Sequence, residues 1–230
     1  MGVIEGLLEH LPAKPIPVRS VVVGVRWTAV TSLGCGLAAS CLRDQTGLIE
    51  SPTDAGQLHQ KSVQELARWM LDGSGLEASI GLAAYSSTLP INSHQVLDVN
   101  AIDLLAQRGA GRNVVMVGHF KYADWLRTKV GSLKILELHP QPGDFHAATA
   151  PDLIPQADLV AITGMTILNR TLDGLLALCQ PSTEVMLLGP STPLSPALFD
   201  FGIDYISGTY VTSEEDLLQT IMQGGSARYA

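Results

Sequence analysis

The residues with the widest chemical range cluster in one stretch. His119, Glu137, His139, Asp144 and His146 lie within positions 119–146. Imidazole and carboxylate suit zinc, iron or nickel when three or four of them converge. These five residues therefore form a candidate transition-metal centre. The H-x6-H spacing of His139 and His146 matches no strong zinc pattern, so a solvated or hydrogen-bonded loop histidine is the competing reading for each. His10, His59 and His94 fall at helix ends or in loops and read as surface residues. Cys35, Cys41 and Cys179 are odd in number and form no C-x-x-C, which argues against a disulfide framework. Cys35 and Cys41 read as core or semi-buried thiols, and Cys179 ends a helix before Pro181. A nucleophilic role for any of them needs a base that the sequence does not place. No acid–base dyad can be named from the sequence, so catalysis stays open.

A second set is made of small and hydroxyl residues that follow apolar runs. Gly118-His119 follows one run, and Glu137 stands 19 positions after Gly118. Ribose-binding acids of dinucleotide domains sit about 20 positions on. A solvated strand-end carboxylate is the alternative. Only one glycine of a G-x-G-x-x-G fingerprint is present. Thr163-Gly164-Met165-Thr166 and Gly189-Pro190-Ser191-Thr192-Pro193 follow two further runs. Thr166 is a natural N-cap, and a helix start also favours an anion. Ser191 and Thr192 sit between prolines, and a rigid loop lowers the entropy cost of holding a ligand.

The elements that must position these residues divide the chain in two. Residues 1–92 predict a short helix over 3–10, a strand over 17–25 and one or two strands over 26–42, with Gly34 and Gly36 marking a turn or bulge. A polar loop through Pro52 follows. A helix over 59–71 then presents Val63, Leu66, Ala67, Met70 and Leu71 on one stripe, and a helix of small residues covers 75–88. This is a small α+β unit. Residues 93–230 alternate short apolar strands (113–117, 133–138, 158–163, 184–188, 203–206) with helices (96–108, 121–130, 166–178, 195–200, 214–223). Continuous apolar strands separated by helices mean a parallel sheet covered on both faces. The fold class is α/β, the second unit being a Rossmann-like open parallel sheet, whose ligands bind beyond the carboxyl ends of the strands.

Composition bounds the partners. Of 230 residues, 46 % are hydrophobic and 16 % charged, with a net charge of −8. A chain so poor in charge is not disordered. No Lys/Arg run exists, so neither nucleic acid nor an anionic membrane is an expected partner. No apolar run reaches the ~18 residues of a membrane span. The first residues lack a cationic region and do not read as a signal peptide, and Gly6 stands where a myristoylation site wants Ser or Thr. A cytoplasmic location and a homodimer are the default expectations.

Five stretches carry a resemblance: VGVRWTAV (23–30), EASIGLAA (77–84), VGHF (117–120), ITGMTILNRTLDGLL (162–176) and GPSTPLSPALFDFGIDYISG (189–208). Together they resemble the bacterial and archaeal heavy-metal chelation family, over nearly the whole chain. The resemblance implies a first domain similar to the N-terminal domain of enolase, a Rossmann-like second domain, and a ligand site in the cleft between them. The enolase likeness concerns the smaller domain alone, so no enolase activity follows. Carried over by position, the ligand-binding candidates are Gly118, His119, Glu137, Thr163, Gly164, Thr166, Asn169, Gly189, Ser191 and Thr192, with Arg26, Trp27 and Glu77 closing the cleft. The chain departs from the pattern at Met165, where a second Thr is expected, and at Lys121, where Pro is frequent. The leading expectation is a protein that binds a metal ion or metal-bearing small molecule. The alternatives are an enzyme holding a nucleotide-type or phosphate-bearing ligand, with Glu137 on ribose, and a structural subunit without a small ligand.

Overall fold

A computed structural model describes residues 1–42, 51–90 and 99–226. His94, much of the polar loop before Pro52 and the first residues of the 96–108 helix lie outside the described residues. The chain opens with α1 (Val3–Glu9), then a meander of β1 (Ser20–Val23), β2 (Trp27–Thr31) and β3 (Cys35–Ala39). Its antiparallel register pairs Val22 with Ala29 and Ala29 with Leu37. The expected 59–71 helix is a 3₁₀ turn followed by α2 (Val63–Ala67) and α3 (Trp69–Asp72), separated at Arg68. Ser62 and Glu65 form a capping box on α2, which fixes its start well inside the expected span. The predicted stripe is buried except Leu71, which is 39 % exposed.

Helix α4 (Gly75–Ser86) packs directly on the meander, and its small residues allow the close approach. Gly36 permits the approach, because a Cβ there would overlap Ala83 O and come within 2.5 Å of Ser87 N. The outer face of the meander is covered from the far end of the chain. Leu217 and Ile221 of the last helix cluster with Ala29 and Leu37, and Arg19 pairs with Glu214 at 2.6 Å.

The second half begins with α5 (Ala101–Arg108) and β4 (Asn113–Val117). There follow α6 (Ala123–Arg127), β5 (Ser132–Glu137), β6 (Phe145–His146), α7 (Ala150–Leu153) and β7 (Leu159–Thr163). Then come α8 (Met165–Leu168), α9 (Leu172–Leu176), β8 (Glu184–Leu188), a 3₁₀ segment Pro196–Phe201, β9 (Tyr205–Ser207) and α10 (Glu214–Met222). The six strands are all parallel, in the order β6-β5-β4-β7-β8-β9. This is a doubly wound sheet whose order reverses between β4 and β7, the point where such folds place ligands. The fold is α/β as expected. Strand β6 and helix α7 were not foreseen, since two edge residues and one helical turn leave no period to read.

The expected 166–178 helix is broken into α8 and α9. Arg170 takes a left-handed conformation at φ 58°, and its guanidinium donates to Met70 O at 2.9 Å and Gly73 O at 2.6 Å. A non-glycine residue holds such a backbone only when its surroundings demand it. Here the return is a clasp between the two halves.

Alternation along each strand sets two faces. Leu159 and Ala161 face the layer of α5 and α6, with Met116, Ile135 and Met186. Val160 and Ile162 face the other way, into a core that runs on through Leu82, Leu66 and Leu7. The halves therefore share one hydrophobic core. Among the described residues no helix is long and apolar enough to cross a membrane.

Candidate functional site

The parallel strands end in glycines with one role. The N–H groups of Gly118, Gly164 and Gly189 donate to Leu136 O, Leu188 O and Ser207 O, each extending the ladder by one rung. Gly118 and Gly189 then turn away at φ 97° and 113°, a region side chains rarely adopt. Thr163 lies between them, and the Phe120 ring reaches across towards both glycines: Cβ atoms built there would lie 3.8 and 4.0 Å from it. The glycines, Thr163 and Phe120 form the floor of the rim at the switch point.

His119 stands on this floor and is held twice. Its backbone N–H donates to Glu137 Oε2 at 2.9 Å, and its Nδ1 meets Asp144 Oδ2 at 2.8 Å. Glu137 uses its other oxygen on the N–H of Leu138 at 2.7 Å, so both carboxylate oxygens fix the loops. Asp144 Oδ2 also accepts from Gln141 N at 3.0 Å. The Asp144 side chain is 0 % exposed, and Oδ1 has no hydrogen-bond partner among the described residues. Arg127 Nη2 lies 3.9 Å from that oxygen. The Arg127 guanidinium is itself tethered to Leu133 O at 3.0 Å. The His119 side chain is 22 % exposed, and no hydrogen bond occupies its Nε2 among the described residues.

The other metal candidates do not join this group. His139 is exposed. His146 is exposed too, and its Nδ1 accepts from Ala148 N at 3.1 Å, capping a 3₁₀ turn. Among the described residues no three His, Cys, Asp or Glu side chains are placed to hold a metal ion together. The convergence of three histidines is thus not seen among the described residues: His139, just after β5, and His146, on β6, are both exposed. The residues fit a bare tetrahedral ion poorly, because one imidazole is a single ligand.

The hydroxyl loops behave differently. Thr166 does not cap α8; its Oγ1 donates to Thr163 O at 2.7 Å, and Gly164 occupies the cap position. Asn169 Oδ1 accepts from Thr171 N and Oγ1, closing the turn before α9. Ser191 Oγ accepts the N–H of Ala39, on the β3 edge, at 2.9 Å. Thr192 is buried against Gly164, where a Cβ would come within 2.6 Å of Thr192 N. The buried Tyr85 hydroxyl meets Ser195 Oγ at 2.7 Å. Thr166, Ser191 and Thr192 therefore lie in a packed seam between the halves.

On the smaller unit, Glu77 completes a capping box with Ser74 and accepts from Thr53 N and Oγ1. Burial alone would raise its carboxyl pKa, but the hydrogen bonds from Thr53 and Ser74 prevail and hold it below the usual range. Arg26 is exposed at the β1–β2 turn, and no hydrogen bond or ion pair of its side chain reaches the rim among the described residues. Burial pushes the Cys35 thiol up to about 12 and Cys179 up to about 11, and raises Cys41 as well. All three are half-buried and stay protonated at neutral pH, in keeping with unreactive thiols. Sequence reasoning missed Phe120, Arg127 and the pairing of His119 with Asp144, because their approach depends on the β5–β6 loop folding back.

Two family models cover most of the chain. One matches residues 4–89 and the other residues 100–230, and both are described as "Putative heavy-metal chelation". The chain belongs to this heavy-metal chelation family. An uncharacterised protein of Methanocaldococcus jannaschii is 33 % identical over 86 residues, which is 34 % of this chain and 33 % of that protein. The chain thus spans about a third of the curated relative it matches. The crystal structure of a family member of unknown function from Desulfitobacterium hafniense superposes with a TM-score of 0.83 at 25 % identity, over 96 % of this chain and 90 % of that one. A second, from Pyrococcus horikoshii, gives 0.75 at 17 % identity over 97 % and 92 %, a likeness of fold alone. The heavy-metal chelation fold is thus the architecture that sets His119 at the switch point.

Proposed function

We propose that the protein binds a metal ion already held by a small organic ligand, seated on the rim of Gly118, Phe120, Thr163 and Gly189 and ligated by His119. One observation carries this reading: His119 turns Nδ1 to a buried carboxylate, and no hydrogen bond occupies its Nε2 among the described residues. Ligating histidines are held in this way, with the second ring nitrogen donating to a carboxylate. A lone protein ligand suits a metal complex with an open coordination position better than a naked ion. The family description supports the same class of cargo. The nucleotide alternative is weaker, because both Glu137 oxygens are engaged on backbone N–H groups.

Calorimetric titration of untagged protein with nickel(II)–nitrilotriacetate tests the reading. One chelate should bind per chain; His119→Ala should abolish binding, and His139→Ala and His146→Ala should leave it intact. Binding that survives His119→Ala overturns the proposal. A thermal shift with NAD, S-adenosylmethionine or a nucleotide, and none with the nickel chelate, would favour the nucleotide enzyme instead.

A further inference from the structure

Asp144 lies in a loop of largely exposed residues, yet its carboxylate is fully buried. Burying a carboxylate is costly unless partners compensate. A plain structural role exists: Asp144 closes the 141–144 turn, its N–H donating to Gln141 O and its Oδ2 accepting from Gln141 N. That role does not require the contact with His119, nor a guanidinium set behind the carboxylate at 3.9 Å. A neutral imidazole carries its single proton on one nitrogen, and an ionised carboxylate only accepts. For a neutral imidazole facing an ionised carboxylate, the 2.8 Å contact is a hydrogen bond only with the proton on Nδ1, which leaves the lone pair on Nε2.

We propose that Asp144 is a positioning residue that fixes the tautomer and ring orientation of His119, so that Nε2 is presented to the rim as a ligating nitrogen. This rests on the metal-complex reading for its purpose, but the tautomer can be measured without any metal. Arg127 supports the arrangement. Its Nη1 is anchored to Leu133 O, which stations its charge beside the otherwise unpartnered Oδ1 of Asp144.

The test is nitrogen NMR of ¹⁵N-histidine-labelled, metal-free protein in the alkaline limit of the titration, with His119 assigned by its absence in His119→Ala. The expected wild-type spectrum has Nδ1 protonated and Nε2 unprotonated. Asp144→Asn replaces the charged Oδ2, which His119 Nδ1 and Gln141 N share, with a neutral amide that holds an Nδ1–H less strongly, so the Nε2–H form should become populated. Affinity for nickel(II)–nitrilotriacetate should then fall about 10- to 100-fold, the range for losing such an outer partner. An Nε2–H tautomer in the wild type overturns the proposal. So does an Asp144→Asn protein with unchanged tautomer and unchanged affinity. If Asp144→Asn fails to fold, the wild-type spectrum still decides. An Nδ1–H wild type whose His119 signals ignore the nickel chelate overturns the metal reading alone.

Discussion

The seam and the rim are built from the same kinds of residue at the ends of neighbouring strands, yet they do opposite things. In the seam, Ser191 accepts the Ala39 N–H, Thr166 donates to Thr163 O, and Thr192 is pressed against Gly164. The Ser191 bond joins the two units over a common core, and the other two contacts lock the strand-end loops beneath that joint. On the rim, Glu137 and Asp144 are likewise consumed by structure, but what they hold is a histidine with one nitrogen to spare. A hydroxyl-rich loop at a strand end is therefore not a ligand loop by composition alone. What separates the two is whether the first half of the chain closes over it.

That contrast can be broken first in the core. Leu82→Ala should cost about 2–5 kcal/mol, and denaturant unfolding should stay a single transition, because Leu82 belongs to the core both halves share. Two separated transitions would mean that the seam does not couple the units. Gly164→Ala should cost about 1–3 kcal/mol through overpacking against the Thr192 backbone. Ser191→Ala should cost about 1–3 kcal/mol by leaving the Ala39 N–H unsatisfied, with nickel-chelate binding unchanged. A loss of chelate binding there would move the site into the seam. On the rim the order reverses. His119→Ala should change stability by about 1 kcal/mol while removing binding altogether.

The smallest expected effect is in acid. The pKa values of Glu77 and Glu184 are lowered in the folded chain. For Glu77, burial works against the shift but the bonds from Thr53 and Ser74 prevail; for Glu184, the Arg108 hydrogen bond leads. A group whose folded pKa is depressed contributes stability above its unfolded value and loses it as pH falls through the folded one. Glu77→Gln should therefore flatten the decline of melting temperature below the ordinary glutamate range and leave the neutral-pH slope unchanged. An unaltered acid limb would show that the capping box contributes nothing through its charge.

Much of the fold was legible because its signals are periodic. Continuous apolar runs such as Asn113–Val117 and Glu184–Leu188 mark buried parallel strands, and the structure places strands on just those residues. Breaks within helices were not legible. Arg68 and Arg170 interrupt patterns that read as single helices, and the second does so to clasp Met70 and Gly73, about 100 positions away. Strand β6 was hidden because Phe145 and His146 are exposed edge residues without alternation. The site was half legible. His119, Glu137 and Asp144 stand out by type and place as members of a histidine cluster, and Gly118 as a strand-end glycine of a ligand loop. The sequence cannot show that His146 faces solvent while Asp144 turns inward two residues earlier. That reversal is set by the 141–144 turn and by Arg127.

The central claim is that the chain binds its ligand through His119 on the rim. The most direct measurement is paramagnetic broadening of histidine ring signals while untagged, ¹⁵N-histidine-labelled protein is titrated with nickel(II)–nitrilotriacetate. The account predicts that His119 broadens first and saturates at one chelate per chain, with His139 and His146 responding only at large excess. Broadening that follows exposure alone, with His139 and His146 leading His119, would contradict it.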